Sequence, residues 1–298
     1  MKNITKFLSI FGLLTFSISL FAEANPLQVQ HETALNESII QYKNAKTDFE
    51  KGYALELKAG ALNTLKRSDE ALEVINEAIK IDAKSASIAI TKAKVLFALN
   101  KTDEAIAAFE PAVISLQHAA SKEPEPIMKR MILAGLAEGF LTKTLIYMQQ
   151  EKWNEALDAL KNTDFVQQGV FAGASPFAYR AMLYQYILMR SKYDKEVVPE
   201  LAKAVKDYED FPKTYYGYII KLLKGQDVKS DFMKQINKLS PTEKQDALAE
   251  WLFYDGAYKK YVQGDDAYAL NSLEQLNKLA PYGNIEWINA TRQFTGKQ

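Results

Sequence analysis

One pattern of ten residues occurs twice in this chain, 34 positions apart, between residues 55 and 113. Fixed self-similarity at a period of this size is typical of proteins built from stacked repeats. The sequence therefore predicts an array of similar units. The first copy consists of Leu55, Ala59, Leu62, Asp69, Glu70, Ala71, Leu72, Ile75, Ala78 and Ile79, and the second of Ala89, Ala93, Leu96, Asp103, Glu104, Ala105, Ile106, Phe109, Ala112 and Val113.

Each copy predicts two helices, because apolar residues recur at helical spacing on both sides of a short polar break. Ser68 or Asp69 is expected to cap the second helix of the first copy by accepting a hydrogen bond from a terminal amide. Ala71 and Ala105 are small enough to let two helices approach closely, so we expect both to be buried. One helical pair cannot bury its own apolar face, and neighbouring pairs must therefore stack on it.

Two later segments repeat the second half of the pattern. One runs from Trp153 to Leu160, with Thr163 where an alanine is expected, and the other from Gly264 to Pro281. Together with Ala59 and Leu62 of the first copy, these features resemble the tetratricopeptide repeat (TPR) family. The resemblance implies an all-α fold, namely a right-handed α-solenoid of TPR-like helical hairpins with degenerate central units and terminal capping helices.

The repeats and the Pro and Gly residues between them divide the chain into five parts. We also expect a linker at 118–126 and a loop with apolar content at 164–176. The parts are a signal peptide at 1–24, an N-terminal capping helix at 25–48, TPR-like repeats 1–3 at 49–163, a loop with degenerate helical hairpins at 164–249, and the final TPR-like repeat with a C-terminal capping helix at 250–298.

The first 24 residues have the form of a secretory signal peptide. Lys2 and Lys6 precede an apolar run from Phe7 to Phe21, and Ala22-Glu23-Ala24 is a small-x-small cleavage site. The apolar run is shorter than the ~20 residues that cross a bilayer, and an uncleaved anchor is the alternative. We therefore expect an exported bacterial protein, periplasmic or secreted, with no integral membrane span after cleavage.

Composition removes several classes of function. The chain has no cysteine, which excludes disulfides, thiolate metal sites and a lipid-anchored lipoprotein. Its 37 basic and 37 acidic side chains balance, so the net charge gives no basis for nucleic-acid binding. His31 and His118 have no partner at metal-ligand spacing, and no nucleophile elbow or phosphate-binding loop is present. We predict no catalytic residue, no metal, no cofactor and no enzymatic activity.

The TPR resemblance implies that the first helix of each unit lines a concave surface, which we call the inner face. Ile90, Lys94 and Phe97 are spaced to form one stripe on it, and an exposed apolar stripe marks a partner surface. The alternative is that Phe97 packs against the neighbouring repeat. The inner face comprises Tyr53, Glu56, Gly60, Asn63, Ile90, Thr91, Lys94, Phe97, Thr142, Leu145, Met148 and Gln149, of which Tyr53, Glu56, Asn63, Ile90, Lys94, Phe97, Thr142 and Met148 are the predicted partner-binding residues.

These observations predict a helical-repeat scaffold that binds a protein or peptide in an assembly or adaptor role. An immunity protein that neutralises a periplasm-active toxin is one alternative. Another is a sugar-binding accessory protein or enzyme that uses the tyrosine-rich second half, although an aromatic stripe at helical spacing is more often core. The oligomeric state is not predicted. The tyrosines concerned are Tyr179, Tyr184, Tyr186, Tyr193 and Tyr208.

Export gives the first testable prediction. If residues 1–24 are a cleaved signal peptide, N-terminal sequencing of the protein purified from its native host will begin near Asn25. Recovery of chains that begin at Met1 from a cytoplasmic fraction would contradict both the cleavage and the localisation.

Overall fold

A computed structural model describes residues 25–163, 175–191, 198–211 and 213–296. The predicted signal peptide, most of the predicted loop at 164–176 and Tyr193 lie outside the described residues. The described residues form α-helices and no strands, which confirms the all-α expectation.

The described part of the chain contains fourteen helices. They are α1 (Pro26–Asn44), α2 (Asp48–Thr64), α3 (Ser68–Ile81), α4 (Ala86–Ala98), α5 (Thr102–Lys122), α6 (Pro126–Gln149), α7 (Trp153–Lys161), α8 (Ser175–Ser191), α9 (Pro199–Glu209), α10 (Tyr216–Leu223), α11 (Lys229–Ile236), α12 (Pro241–Gln263), α13 (Asp266–Leu279) and α14 (Ile285–Thr295).

Consecutive helices pack as hairpins: α2 on α3, α4 on α5, α6 on α7 and α12 on α13. The hairpins also stack, because α2 contacts α4 and α4 contacts α6. Ala71 and Ala105 are both 0% exposed, as expected for residues at a close helix contact. Ala59 and Ala93, on the facing helices, are equally buried. Small side chains at these four positions allow the helices to approach each other.

Three of the hairpins share one turn geometry. Lys66, Asn100 and Glu151 adopt left-handed φ values of 59°, 63° and 56° at the same position of their turns. In each turn the next amide donates to a carbonyl five residues earlier at 2.9 Å, as in Arg67 N–H to Leu62 O. This is the Schellman arrangement that satisfies the last carbonyls of a helix. The turn of α6 and α7 therefore matches those of the two clear sequence copies.

The capping prediction for α3 is wrong. α3 begins at Ser68 itself and has no side-chain cap. The Ser68 hydroxyl donates instead to the Asn63 side chain of α2 at 2.8 Å. The left-handed residue Lys66 turns the chain so abruptly that Ser68 already lies inside the helix, where its side chain ties the two helices of the hairpin together.

The linker expected at 118–126 is also wrong in extent. α5 continues to Lys122 and α6 starts at Pro126, so only residues 123–125 connect them. Ala119 and Ala120 favour a helix, and proline is tolerated at a helix start.

By length and composition α6 is, within the described ranges, the one helix able to cross a membrane. The fold buries 56% of its most apolar window, as in the core helix of a folded protein.

The first and last parts of the array are in contact. α1 packs against α12, and the Asn25 side chain donates to the Ala280 carbonyl at 2.8 Å. The amide of Gly283, in the turn between α13 and α14, donates to the Thr64 carbonyl at the end of α2 at 3.0 Å. The helical array therefore closes on itself along a seam of polar contacts.

Two glycines of α6 provide a matched test of the packing between α5 and α6. A Cβ on Gly139 would lie 2.1 Å from a ring carbon of Phe109, whereas one on Gly135 would make only an ordinary contact with Leu116 at 3.7 Å. Gly139→Ala should therefore lower the free energy of unfolding by ~1–3 kcal/mol through overpacking. Gly135→Ala should raise it by ~0.5–1 kcal/mol, since alanine is the better helix former. Denaturant unfolding of both variants measures the difference, and a stabilised Gly139→Ala would contradict the contact.

The inner face and its C-terminal cover

Arg292 of α14 docks onto the C-terminal end of α4. Its guanidinium donates to the carbonyls of Phe97 at 2.7 Å and Ala98 at 3.0 Å, and to the Gln149 side chain at 2.5 Å. The last carbonyls of a helix lack partners within the helix and carry its negative dipole end, so a cation there is favourable. Burial lowers the pKa of Arg292 to about 10, which leaves it charged at neutral pH.

The predicted exposed stripe of α4 is wrong. Phe97 is 1% exposed and Ile90 is 4% exposed. The Arg292 guanidinium lies 5.0 Å from the centre of the Phe97 ring and shields it from solvent. The alternative prediction, in which Phe97 is packed, is correct. Part of the packing around Phe97 comes from α14 rather than from the neighbouring repeat. Thr142 and Met148 of α6 are buried as well, and a role in partner binding stays a prediction for all four residues.

A cavity of about 230 Å³ remains between the inner face and α14. It brings together four of the predicted partner-binding residues, namely Asn63, Lys94, Phe97 and Thr142, which face Trp287 across the cavity. Lys94 forms an ion pair with Glu138, and the Thr142 hydroxyl donates to the Glu138 carbonyl at 3.0 Å. Lys94 and Thr142 of this cavity are thus already engaged within the protein.

Glu56, Gly60 and Thr91 of the inner face line a groove between α1, α2 and α4, with a volume of about 360 Å³. Glu56 and Gly60 of α2 form its floor, and His31 and Glu37 of α1 form a wall. Glu56 accepts hydrogen bonds from Ser87 at 2.8 Å and from Thr91, also in the groove, at 3.2 Å. Burial raises the pKa of the Glu56 carboxyl group above its ordinary value. We call this feature the α1–α2 groove.

An exposed apolar stripe adjoins the α1–α2 groove. Phe49, Tyr53 and Leu57 follow one another at four-residue spacing on α2 and are 75%, 51% and 36% exposed. Side chains four apart share one helix face, so the three form a continuous strip. The sequence predicted Tyr53 as a binding residue but not Phe49 or Leu57, although the four-residue spacing of the three was the available signal. α1 packs on α2, where a capping helix was predicted, and it also forms a wall of the groove.

The tyrosines of the second half lie mainly in the core. Tyr184 and Tyr186 are fully buried, and Tyr208 is half-buried. The hydroxyl of Tyr179 donates to Glu286 Oε1 at 3.0 Å. The described members of the tyrosine stripe therefore face protein groups, as expected for an aromatic stripe that belongs to the core.

Two buried carboxyl groups accept hydrogen bonds from this tyrosine cluster. Tyr254 also donates to Glu286 Oε1, at 3.3 Å, and Tyr216 donates to Glu250 Oε1 at 3.3 Å. Burial raises the pKa of Glu286 to about 7 and that of Glu250 well above its ordinary value. The charge of Glu286 raises the pKa of Glu250 further. The cluster thus joins α8, α10, α12 and α14 through groups that favour their protonated forms.

The histidines occupy separate places. Nε2 of His31 lies 3.1 Å from the Tyr282 carbonyl across the seam, while His118 is exposed on α5. Within the described ranges, no group of three or more His, Asp or Glu side chains could hold a metal ion.

The fold and the site together define an all-α protein of stacked helical hairpins whose first and last units touch. No model of a known protein family matches the chain, and no curated protein matches it. The TPR resemblance therefore stays an interpretation of the sequence pattern.

The buried carboxyl groups predict that stability falls as the pH rises. A group whose pKa is raised in the folded state stabilises the fold fully below its unfolded pKa, and this contribution is lost as the pH rises through the folded pKa. For Glu286, with a folded pKa of about 7, the free energy of unfolding should drop by up to ~3 kcal/mol between about pH 4.5 and 8.

Chemical denaturation across this pH range tests the effect. Glu286→Gln should flatten the profile in part, since Glu250 titrates in the same direction. Glu274→Gln, on the exposed face of α13, is the matched control and should leave the profile unchanged. A Glu286→Gln profile as steep as that of the natural protein would show that this carboxyl group is not the source.

Proposed function

We propose that this protein is an exported helical-repeat scaffold that binds a protein or peptide partner in the α1–α2 groove. The observation that carries the proposal is the exposed strip of Phe49, Tyr53 and Leu57 beside an open groove. Exposed apolar clusters of this kind mark interaction sites on folded proteins. Helical grooves of this shape receive an extended segment or an amphipathic helix.

The groove favours a partner segment with mixed chemistry. The apolar strip suits aliphatic or aromatic side chains, while Glu37 and Glu56 face the groove with carboxyl groups. A segment that presents an apolar row beside a basic or hydrogen-bond-donating side chain would complement both. The buried part of the inner face, around Phe97, contributes to the scaffold that holds α4 in place.

Gly60 offers a precise way to block the groove. It lies on the groove floor, and nothing lies within 4 Å of the position that a Cβ would occupy. Gly60→Trp should place an indole in the groove and abolish partner capture. Gly60→Ala is the control, because it should keep capture and raise the free energy of unfolding by ~0.5–1 kcal/mol.

The measurement combines affinity capture from periplasmic extract with a photo-crosslinking amino acid at position 53. A specific partner is one that crosslinks through position 53, is retained by Gly60→Ala and is lost in Gly60→Trp. Capture of a secreted toxin by this criterion would assign the immunity role to the same groove. Equal capture by Gly60→Trp and the natural protein would contradict the proposal.

A further inference from the structure

A separate cavity of about 310 Å³ lies among α12, α13 and the turn that joins α10 to α11. Trp251, Asp255 and Tyr258 of α12 line it, and Tyr268 of α13 faces them. The positions 251, 255 and 258 fall on one face of α12, since residues three and four apart are neighbours on a helix. None of these residues belongs to the inner face or to the α1–α2 groove.

Three polar groups in the wall of this cavity lack hydrogen-bond partners among the described residues. The indole N–H of Trp251 is buried without an acceptor. Asp255 is 6% exposed, and only its Oδ2 accepts a hydrogen bond, from the Tyr268 hydroxyl at 2.7 Å. The hydroxyl of Tyr258 is the third such group. Buried polar groups in native proteins are nearly always paired, so the unpaired indole N–H, with two further unpaired but solvent-accessible groups beside it, indicates a polar occupant.

The turn that joins α10 to α11 leaves room for the Tyr258 hydroxyl because it has a glycine at position 225. Gly225 has a left-handed φ of 86°, and a Cβ there would lie 2.7 Å from the Tyr258 hydroxyl oxygen. Glycine adopts this conformation without strain and lets the backbone come close to the ring. The backbone of the turn thus forms a wall of the cavity against the Tyr258 hydroxyl.

The charges around the cavity favour a neutral occupant. Asp227 and Asp255 are offset by Lys229 and Lys259, which line the same cavity. The ammonium group of Lys259 is also engaged by Gln263 Oε1 at 3.0 Å. An occupant with a net charge would leave an unbalanced charge in a partly desolvated site, which is costly.

Size and chemistry narrow the class of ligand. A volume of about 310 Å³ corresponds to about ten water molecules in the liquid, which is more than one hexose ring fills, so the cavity has room for one sugar ring with water beside it. A sugar hydroxyl both donates and accepts, so it can pair with the indole N–H, the free carboxylate oxygen and the phenol together. The rings of Tyr258 and Tyr268 supply the apolar surface that the C–H face of a sugar requires.

We propose that this cavity binds a single neutral sugar ring, with Trp251 donating to a hydroxyl, Asp255 accepting from a hydroxyl and Tyr258 completing the set. The site is independent of the peptide groove, and either can fail without the other. It also differs from the tyrosine stripe that the sequence suggested for sugar binding, whose described members face protein groups.

The experiment measures binding of D-glucose, D-galactose, D-mannose and N-acetyl-D-glucosamine to the natural protein by saturation-transfer NMR and calorimetry. At the efficiency usual for ligands of this size, at least one should bind with a dissociation constant of about 1 mM. Cyclohexanol has a ring of similar size with one hydroxyl, and it should bind at least tenfold more weakly because it leaves two of the polar groups unpaired.

Tyr258→Phe is the sharpest variant, because it removes a hydroxyl that has no hydrogen-bond partner in the described part of the chain. It should weaken binding of the best sugar about tenfold while leaving the melting temperature unchanged or higher. Asp255→Asn should weaken binding similarly, and Tyr147→Phe on α6 is the control that leaves it intact. The proposal is overturned if none of the four sugars binds, which would mean that the cavity holds water only, or if Tyr258→Phe binds as tightly as the natural protein.

Discussion

Close contact between helices at small residues is the constraint on which this structure depends. Ala59, Ala71, Ala93 and Ala105 are completely buried where the helices of the first two hairpins meet. A larger side chain at any of them would force the helices apart and open the contact behind it. Because a hairpin joined in this way still has an apolar face, each unit requires a neighbour. From α2 to α7 the order of helices along the chain is therefore also their order of packing in space.

The seam between the two ends explains where a binding surface remains. α14 brings a charged guanidinium to the carbonyl end of α4, and this contact removes Phe97 from solvent. A cation that satisfies helix carbonyls and covers an aromatic ring combines two favourable interactions in one side chain. The inner face is therefore divided into a covered part and an open part. The open part lies beside α1, where Phe49, Tyr53 and Leu57 stay exposed.

The sequence predicted the features that depend on local spacing. Helical periodicity identified the hairpins, and the repeated alanines identified the contacts between them. The covering of Phe97 could not be predicted, because its partner Arg292 lies 195 residues away and no local pattern links the two. The cavity around Asp255 could not be predicted for a related reason. The spacing of its residues on α12 is typical of any helix face, and the cavity forms only where α13 and the turn between α10 and α11 pack against α12.

Closure of the array also constrains how such a chain can evolve and fold. An open repeat protein can gain or lose a unit, since each unit contacts only its neighbours. Here one extra hairpin would carry the end of α13 away from Asn25, whose side chain bonds to a carbonyl 255 residues further along. Contacts of such high sequence separation raise the contact order and slow folding. The seam cannot form until both Asn25 and Ala280 have been synthesised, and its geometry fixes the number of units between them.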